Sequence, residues 1–403
     1  MRPLPPEIEG EKRTVKPVER TQRIFIFGAT GSIGKAAIDV CRKTDVQVVG
    51  VGIKNNTESL AQLIPGLNLK VIHISDKTIR KSGLNLPYSA KLFLGEENIE
   101  DAIIESDADT VLNGVSGGAG LRYSLATIRT KTKKLALANK ETLVIAGKLF
   151  TKAVEESGTK VVPVDSEHSA LFRLFRGVDR NLVRRLLLTA SGGPFLERET
   201  SEPTPEEALS HPVWQMGKRI SIDSATMFNK VFEVIEAHHL FRFAYDRIEI
   251  LIHPEGLFHS ILELTDGAMV ALMSVADMRL SIAYALAYPE EPRLNFPLRF
   301  ESVKNCRFLP ADSEKFRALE ALTHLRLGAN NSYPIALNAA DEVAVSAFLN
   351  RTIPFSSIVK IVLETASAFD RKEPNTIEDV YHLDKEARAL AEERVKKWMF
   401  SCT

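Results

Sequence analysis

The feature that most constrains the fold is an alternation of short apolar runs with longer, helix-patterned segments over residues 23–164. The runs are RIFIF (23–27), VQVVGVGI (46–53), KVIHI (70–74), TVLNGV (110–115), KKLALA (133–138) and KVVPV (160–164). Short runs of this kind are typical of buried strands, and most of the intervening segments are long enough for a crossover helix. The alternation predicts an α/β fold, with a mostly parallel sheet and helices on both faces.

A glycine-rich turn, Gly28-Ala-Thr-Gly31-Ser-Ile-Gly34, follows the first run directly and leads into a helix-patterned segment. Glycines let the backbone turn tightly and approach a pyrophosphate, while a helix start offers free N–H groups to the anion. The spacing GxxGxxG is a variant of the commoner fingerprint, and a glycine turn without a ligand is the alternative. Its position between a first strand and a first helix favours a dinucleotide site.

The end of the second run bears on which dinucleotide is bound. NAD-preferring sites usually place an acidic residue there, which binds the ribose 2′-hydroxyl. Here Lys54, Asn55 and Asn56 follow the run, and the first carboxylate is Glu58. A cation at this position suits a 2′-phosphate, so we expect NADP, although a solvated loop lysine is an equally good interpretation of Lys54 alone.

Two acids follow the last run, in the string Asp165-Ser166-Glu167-His168. In an extended chain, residues two apart project to the same face, so we expect Asp165 and Glu167 to converge on one cation. Carboxylate oxygens suit Mg²⁺ or Mn²⁺, and ligands of open α/β sheets bind beyond the carboxyl ends of the strands. Two such acids alone more often form a solvated turn.

A second polar string, SIDSATMFNKVFE (221–233), offers a third carboxylate. Asn229 and Glu233 would lie one turn apart on a helix, with Lys230 close to the same face and Ser224 near the helix start. These groups together indicate a metal-plus-phosphate site. The alternative is an amphipathic helix with a surface Lys–Glu pair.

Three further segments carry candidate residues. Ser191 opens a glycine turn after an apolar run and resembles a phosphate-binding turn, although a strand-to-loop glycine pair is equally consistent. Lys140 also lies just past a run, where it would contact substrate oxygens or be a solvated lysine. His259 alternates with apolar neighbours, which is more typical of a structural histidine.

The segment 197–218 is rich in Pro, Ser and Glu and ends with His211, Trp214 and Met216. A polar loop that carries an aromatic side chain is a candidate lid, which covers a substrate and excludes water. Anchoring of a long loop in the core by Trp214 is the rival interpretation.

Length, charge and cysteine content limit which classes of protein the chain can belong to. The chain has 403 residues, so two or three domains are expected. Its 52 basic residues balance its 52 acidic ones, so no global field favours nucleic acid or an anionic membrane. The cysteines, Cys41, Cys306 and Cys402, are scattered and indicate a reducing compartment. No apolar segment is long enough to span a bilayer. Residues 1–22 lack a secretory apolar core, so we expect a cytoplasmic protein.

The pattern changes after residue 164. Residues 165–290 contain the apolar runs RRLLLTA (184–190), EILIH (249–253) and AMVALMS (268–274). A helix is predicted over 225–240, with Asp223 or Ser224 as its N-cap. The predicted divisions are a flexible extension (1–22), a dinucleotide-binding domain (23–164), an α+β domain (165–290), a Pro-containing linker (291–318) and a C-terminal helical domain (319–403).

Several strings together resemble one family, the 1-deoxy-D-xylulose 5-phosphate reductoisomerases of the non-mevalonate isoprenoid route. The matching strings, in chain order, are GATGSIG, ALANKETLV, PVDSEHSA, TASGGPF, HPVWQMGKRISIDSATMFNK, EVIEA, IHPEGLFHS, DMRLSIAYALAYP and LNAADEVAVSAFL. DSEH together with SIDSATM and the following NK and E is highly specific. The glycine turn by itself is not.

The resemblance implies an NADPH- and divalent-metal-dependent enzyme, with Mg²⁺, Mn²⁺ or Co²⁺, that rearranges and reduces a sugar phosphate. It implies a homodimer with a Rossmann-like NADPH-binding domain, a central catalytic domain (165–290) that also builds the dimer contact, and a C-terminal helical domain. It also implies a role for each of the following residues. The metal ligands would be Asp165, Glu167 and Glu233. The substrate contacts would be Lys140, Ser166, Glu167, Ser191, His211, Ser224, Asn229, Lys230 and Glu233, with Trp214 and Met216 on the mobile loop. NADPH would be held by Thr30, Gly31, Ser32, Ile33, Lys54, Asn55, Asn139, Glu141 and Gly217.

Some positions depart from the family pattern, and two other functions stay open. Glu255 and Gly256 replace a Gln-Ser pair, Ala276 replaces a proline, and Val231-Phe232 replaces a Gly-Leu-like pair. The first alternative is another NADP-linked sugar-phosphate or polyol-phosphate dehydrogenase that needs no metal. The second is a non-catalytic dinucleotide sensor.

Overall fold

The computed structural model describes residues 22–79, 90–198, 202–214, 216–369 and 373–401. Of the predicted N-terminal extension, residues 1–21 lie outside the described residues. So do residues 199–201 and 215 of the candidate lid.

Seven parallel strands form the first sheet, in the order β4-β3-β2-β1-β5-β6-β7. The strands are β1 (Arg23–Phe27), β2 (Gln47–Ile53), β3 (Val71–Ile74), β4 (Lys91–Leu94), β5 (Thr110–Asn113), β6 (Lys134–Leu137) and β7 (Lys160–Pro163). The helices between them are α1 (Ser32–Arg42), α2 (Thr57–Leu63), α3 (Ile99–Ser106), α4 (Gly120–Arg129) and α5 (Glu141–Ser157). Each apolar run predicted over 23–164 is a strand, while β4 was not predicted. The α/β fold class is confirmed.

Burial of both sheet faces explains why the runs are continuously apolar. Phe25 and Phe27 of β1 enter one core cluster, and the alternate residues Ile24 and Ile26 enter another. A central parallel strand covered by helices on both sides needs apolar residues at every position.

The glycine turn between β1 and α1 is tightly packed. Gly28 has φ +75°, and a Cβ there would lie 2.5 Å from the carbonyl oxygen of Gly114. A Cβ on Gly34 would lie 2.3 Å from the carbonyl oxygen of Gly28. Glycine is therefore required for α1 to approach the end of β1 closely.

A second sheet of five strands, in the order β11-β10-β8-β9-β12, follows in the chain. The strands are β8 (Val183–Ala190), β9 (Ile248–Ile252), β10 (Phe258–Leu264), β11 (Met269–Met273) and β12 (Leu309–Pro310). The helices over this part are α6 (Ser166–Leu174), α7 (Pro205–Leu209), α8 (Lys218–Thr226), α9 (Phe228–Phe241) and α10 (Met278–Ala287). Only β8 and β9 pair in parallel. The segment expected as a linker thus contributes β12, which pairs with β9.

The helix predicted over 225–240 is wrong in its start and in its N-cap. Asp223 and Ser224 lie inside α8, and Met227 separates α8 from α9 with φ +71°. The hydroxyl of Thr226 donates to the carbonyl of Ile222 (3.1 Å) and accepts the N–H of Phe228 (3.4 Å). This side chain ends one helix and helps to begin the next, which helix periodicity does not reveal.

The remaining helices form the C-terminal part. They are α11 (Glu320–Arg326), α12 (Ser332–Leu349), α13 (Phe355–Phe369) and α14 (Ile377–Ser401). Helix α12 is buried among α13, α14 and α5, which suits its largely apolar sequence. Within the described ranges, no helix has the length and apolar character that a membrane crossing requires.

We predict that Gly34→Ala destabilises the protein by about 1–3 kcal/mol, because its methyl group would overlap the backbone of the turn. The free energy of unfolding, measured by denaturant titration, checks this. Gly177→Ala is the matched control, since a Cβ there meets no described atom within 4 Å. Equal stability losses in the two variants would contradict the packing assigned to the turn.

Candidate active site

A cavity of about 650 Å³ lies between the carboxyl ends of the first sheet and helices α8 and α9. The predicted site residues that line it are Ser32, Ile33, Lys140, Glu141, Asp165, Ser166, Glu167, Ser191, His211, Trp214, Met216, Gly217, Ser224, Asn229, Lys230 and Glu233. The predicted residues that do not line it are Thr30, Gly31, Lys54, Asn55 and Asn139.

Three carboxylates from two distant parts of the chain meet in this cavity. One oxygen each of Asp165, Glu167 and Glu233 lies within 4.8 Å of the others. The reason given from the sequence was wrong, because Asp165 and Glu167 are not in an extended segment. Asp165 is the N-cap of α6 and accepts the N–H of Glu167 (3.1 Å), which itself lies in the first helical turn. The helix start brings the two carboxylates together.

Two buried lysines balance most of this negative charge. The ammonium of Lys140 donates to Asp165 (2.8 Å) and Glu233 (3.1 Å). The ammonium of Lys230 contacts Glu233 and lies 3.4 Å from Glu167. Burial alone would lower the pKa of Lys140, but the carboxylates of Asp165 and Glu233 outweigh it and raise that pKa. Both lysines are therefore charged, and neither is the solvated side chain considered as an alternative.

The cluster fits a divalent cation. Three carboxylates against two ammonium groups leave one negative charge in excess when all five groups are ionised. Burial raises the pKa of Glu167 to about 7, against the opposing effect of Lys230. Oxygen ligands with excess negative charge are the set that Mg²⁺ and Mn²⁺ prefer.

Two buried residues behind this cluster were not singled out from the sequence. His168 lies 2.8 Å from Asp165, and Glu236 lies 3.5 Å from the same ring nitrogen. Burial would lower the pKa of His168, but Glu236 and Asp165 outweigh it and raise it to about 9. The spacing of Glu236, three residues after Glu233, was the available signal.

The opposite wall carries hydroxyl and amide groups. Gly193, at φ +70°, packs against α8, and a Cβ there would lie 2.8 Å from the carbonyl oxygen of Ser224. This contact brings the turn that begins at Ser191 against the end of α8. The amide of Asn229 donates to Glu233 (2.6 Å), one helical turn away as predicted. The wall therefore adjoins the carboxylate cluster.

His211 orders the described part of the candidate lid. Its Nδ1 accepts the backbone N–H groups of Val213 (3.2 Å) and Trp214 (2.9 Å). The proton must therefore be on Nε2, which donates to the hydroxyl of Ser191 (3.0 Å). Burial lowers the pKa of His211 to about 4, so the ring is neutral near pH 7.

The ring of Trp214 faces His259, with ring centroids 6.1 Å apart. His259 is buried, bonds Ser274 (2.9 Å) and has a pKa lowered to about 4 by burial. This agrees with the structural role expected for His259. Trp214 also lines the cavity, so it faces the substrate space as well as the fold.

The dinucleotide turn offers an anion site at the start of α1. No described side chain caps that helix start, and Ser32 and Ile33 there line the cavity. Lys54 and Asn55 are exposed after β2. Asn139 instead holds the backbone of the turn after β5, donating to the carbonyls of Val115 (2.8 Å) and Gly117 (3.0 Å).

A second ionic cluster centred on Arg219 was missed from the sequence. Arg219 donates to Glu141 (2.8 Å), Asn338 (2.9 Å), Asp341 (2.9 Å) and Glu342 (3.1 Å), and its Nε lies 3.5 Å from Asp223. Glu342 also accepts the N–H of Gly118 (2.8 Å). The cluster joins α8, α12 and the turn after β5. Polar residues of the string LNAADEV within an apolar helix were the signal that could have found it.

The departures from the family pattern do not remove a polar group from the cavity. Gly256 has φ +62° and packs against Val213, and Glu255 bonds Arg307 (2.8 Å). Ala276 lines the cavity, and Val231-Phe232 is buried.

Three family models match most of the chain. A family model described as 1-deoxy-D-xylulose 5-phosphate reductoisomerase matches residues 24–147. The C-terminal domain models of the same enzyme match residues 161–241 and 273–390.

Similar proteins match over nearly their whole length. The 1-deoxy-D-xylulose 5-phosphate reductoisomerase of Thermodesulfovibrio yellowstonii is 39% identical over 93% of this chain and 99% of its own. The solved Zymomonas mobilis reductoisomerase in complex with NADPH is 37% identical, with a TM-score of 0.83, over 93% of this chain and 99% of its own. A DOX-P reductoisomerase in complex with NADPH, fosmidomycin and magnesium is 32% identical, with a TM-score of 0.85, over 93% and 98%. The chain therefore belongs to the 1-deoxy-D-xylulose 5-phosphate reductoisomerase family.

Proposed function

We propose that the chain converts 1-deoxy-D-xylulose 5-phosphate to 2-C-methyl-D-erythritol 4-phosphate with NADPH and a divalent cation, in the non-mevalonate isoprenoid route. The observation that carries this is the meeting of Asp165, Glu167 and Glu233 in the cavity that the dinucleotide turn also borders. Solved relatives in complex with NADPH and with magnesium support both cofactors.

The proposed cation ligands are Asp165, Glu167 and Glu233, the first two of which are brought together by the start of α6. When bound, the cation polarises the substrate carbonyl and NADPH supplies the hydride. Lys140 bonds two of these carboxylates and holds them against mutual repulsion. Its three N–H groups are directed at Asp165, Asn229 and Glu233, so it donates to a substrate oxygen only by exchanging one of these bonds. Ser166 also lines the cavity.

The proposed phosphate site consists of Ser191, Ser224, Asn229 and Lys230, which line one cavity. Lys230 supplies a positive charge, and the others supply hydroxyl or amide donors. Binding energy from a remote phosphate helps to order the loop that carries His211, Trp214 and Met216 over the substrate. A closed loop excludes water from the reacting carbon atoms.

The proposed NADPH contacts are Thr30, Gly31, Ser32, Ile33, Lys54, Asn55, Asn139, Glu141 and Gly217. The uncapped start of α1 supports a pyrophosphate there, because its N–H groups attract anions. Lys54 and Asn55 are exposed and accessible to a 2′-phosphate. Asn139 acts indirectly, through the backbone that it holds.

The two alternative functions are not favoured. A metal-free dehydrogenase or a dinucleotide sensor has no chemical need for three buried carboxylates that converge beside a dinucleotide turn. Oxidation of NADPH by the purified protein with deoxyxylulose phosphate, followed by absorbance with and without chelator, tests the proposal. Oxidation that persists unchanged with chelator would favour the dehydrogenase, and no oxidation with Mg²⁺, Mn²⁺ or Co²⁺ would favour the sensor.

The division into an NADPH-binding domain (23–164), a catalytic domain (165–290), a linker (291–318) and a helical domain (319–403) stays a proposal. The two sheets support it, since β1–β7 all precede residue 165.

We also propose a cytoplasmic location. The free cysteines Cys41 and Cys306 support it, because a reducing compartment keeps thiols unpaired.

We predict that Glu233→Gln lowers kcat/KM about 100-fold or more, because loss of one carboxylate weakens the hold on the cation that polarises the carbonyl. Metal-dependent oxidation of NADPH measures this, together with Mn²⁺ binding. Glu249→Gln, on β9 and outside the cavity lining, is the control and should retain activity. Full activity in Glu233→Gln would exclude the proposed metal site.

We predict that acid opens the His211 loop. Burial lowers the pKa of His211 from 6.5 to about 4, so the ordered loop binds fewer protons than the open loop between these values. The contribution of His211 to loop order is complete above pH 6.5 and is lost as the pH falls through about 4. In a Trp398→Phe background, Trp214 emission should shift to the red over this range. His211→Asn keeps a pH-independent acceptor and should lack the transition; the same transition in both proteins would contradict the assignment.

We propose that the protein is a homodimer that uses its central domain. Among the described residues, β11 lies at an edge of the second sheet, and Met269 on it is 61% exposed. An unpaired edge with an exposed large apolar side chain favours association with a second copy.

We predict that Met269→Lys shifts the dimer toward monomer, because it places a charge in the proposed interface. Light scattering at several protein concentrations measures the mass. Ile104→Lys on α3, at a side chain that is 64% exposed, is the control and should leave the mass unchanged. A dimer that is equally stable in both variants would place the interface elsewhere.

A further inference from the structure

Behind the carboxylate cluster, and not in the lining of the cavity, lie His168 and Glu236. Both are almost completely buried. The ring of His168 lies between the side chain of Asp165 and the main chain of Glu233. Nδ1 is 2.8 Å from Oδ1 of Asp165, and Nε2 is 2.9 Å from the carbonyl oxygen of Glu233. One ring thus joins the segments that carry the proposed metal ligands, 65 residues apart in the chain.

The orientation of this ring is fixed. A carboxylate and a carbonyl only accept hydrogen bonds, so both ring nitrogens donate. The ring also stacks on Phe241, with centroids 6.2 Å apart and planes 8° apart. In this arrangement neither ring nitrogen presents a lone pair to a cation between Asp165, His168 and Glu236.

The two side-chain oxygens of Asp165 have different hydrogen-bond partners. Oδ1 accepts from Nδ1 of His168 and from the backbone N–H groups of Glu167 (3.1 Å) and His168 (3.4 Å). Oδ2 faces the cluster, where it accepts from Lys140 (2.8 Å). The carboxylate therefore has one oxygen committed to the protein and one available on the cavity side.

Glu236 has no hydrogen-bond partner for either carboxylate oxygen among the described residues, although it is only 1% exposed. A buried carboxylate without hydrogen bonds is destabilising unless a cation lies nearby. Its Oε2 lies 3.5 Å from Nδ1 of His168, the ring nitrogen that also donates to Asp165.

We propose that Glu236 and His168 are positioning residues for the metal site: the His168 ring, bonded to Asp165 and to the main chain of Glu233, holds Asp165 in its metal-binding orientation, and Glu236 holds the ring in place through its contact with Nδ1. The inference rests on the proposed function, because it takes Asp165 and Glu233 as metal ligands. Residues that orient metal ligands through hydrogen bonds commonly change metal affinity about 10- to 100-fold when they are replaced.

Mn²⁺ binding to the full-length protein, followed by the electron paramagnetic resonance of free Mn²⁺ with NADPH present, tests this proposal. Glu236→Gln should weaken Mn²⁺ binding about tenfold and raise the Mg²⁺ concentration required for half-maximal turnover to the same extent. NADPH affinity and thermal stability should change little. Glu263→Gln removes another buried carboxylate of the same part of the chain, one that pairs with Arg184 and Arg185 outside the cavity, and should leave metal binding unchanged.

A double variant separates positioning from general destabilisation. Because Glu236 acts through His168, His168→Gln combined with Glu236→Gln should weaken Mn²⁺ binding no more than His168→Gln alone. Unchanged binding and Mg²⁺ requirement in Glu236→Gln, equal losses in Glu263→Gln, additive losses in the double variant, or two Mn²⁺ ions per chain would overturn the proposal. Asp165→Asn distinguishes failure of the positioning proposal from failure of the proposed metal site. If this variant binds Mn²⁺ like the wild type, the metal site itself is wrong.

Discussion

The contact of the Lys140 ammonium with Asp165 and Glu233 is the interaction on which the rest of the site depends. Carboxylates as close as those of Asp165, Glu167 and Glu233 repel one another, and burial removes the water that would screen them. Lys140 is the N-cap of α5, just after β6, and Lys230 lies on α9, so each side of the cavity supplies one of the balancing charges. The fold can keep an acidic cluster buried because these two ammonium groups are buried with it.

The cluster around Arg219 extends the same principle to the C-terminal helices. Buried contacts run from α12 to Arg219, which lies at the wall of the cavity. On α12, Glu342 bonds Arg219 and also accepts the backbone N–H of Gly118. Burial raises the pKa of Asp341 to about 6, against the opposing charge of Arg219. The helical part is therefore joined to the site by charge as well as by apolar packing.

Much of the first sheet could be predicted because burial on both faces forces continuous apolar runs, as in Ile24–Phe27. The site residues of α9 could also be predicted, since helical spacing alone places Asn229 beside Glu233. The residue-by-residue roles carried over from the resemblance remain proposals.

What could not be predicted depends on groups far apart in the chain or on single hydrogen bonds. Asp165 and Glu167 were expected to converge along a strand, whereas the capping of α6 by Asp165 brings them together. The break at Met227 depends on the hydroxyl of Thr226, to which no periodicity is sensitive. Strand β4 has only four residues, of which the first is exposed and the others are half-buried, so its apolar signal is weak. The pairing of β12 with β9 requires knowledge of a distant edge.

The left-handed residue Met227 has a consequence for which side chains can share one cavity. Because this one residue separates α8 from α9, the two helices do not share one axis. In a continuous α-helix, residues nine apart lie about 14 Å apart along the axis and project to opposite sides. Ser224 and Glu233 are nine apart in the chain, yet both line the same cavity, because the direction of the backbone changes between them.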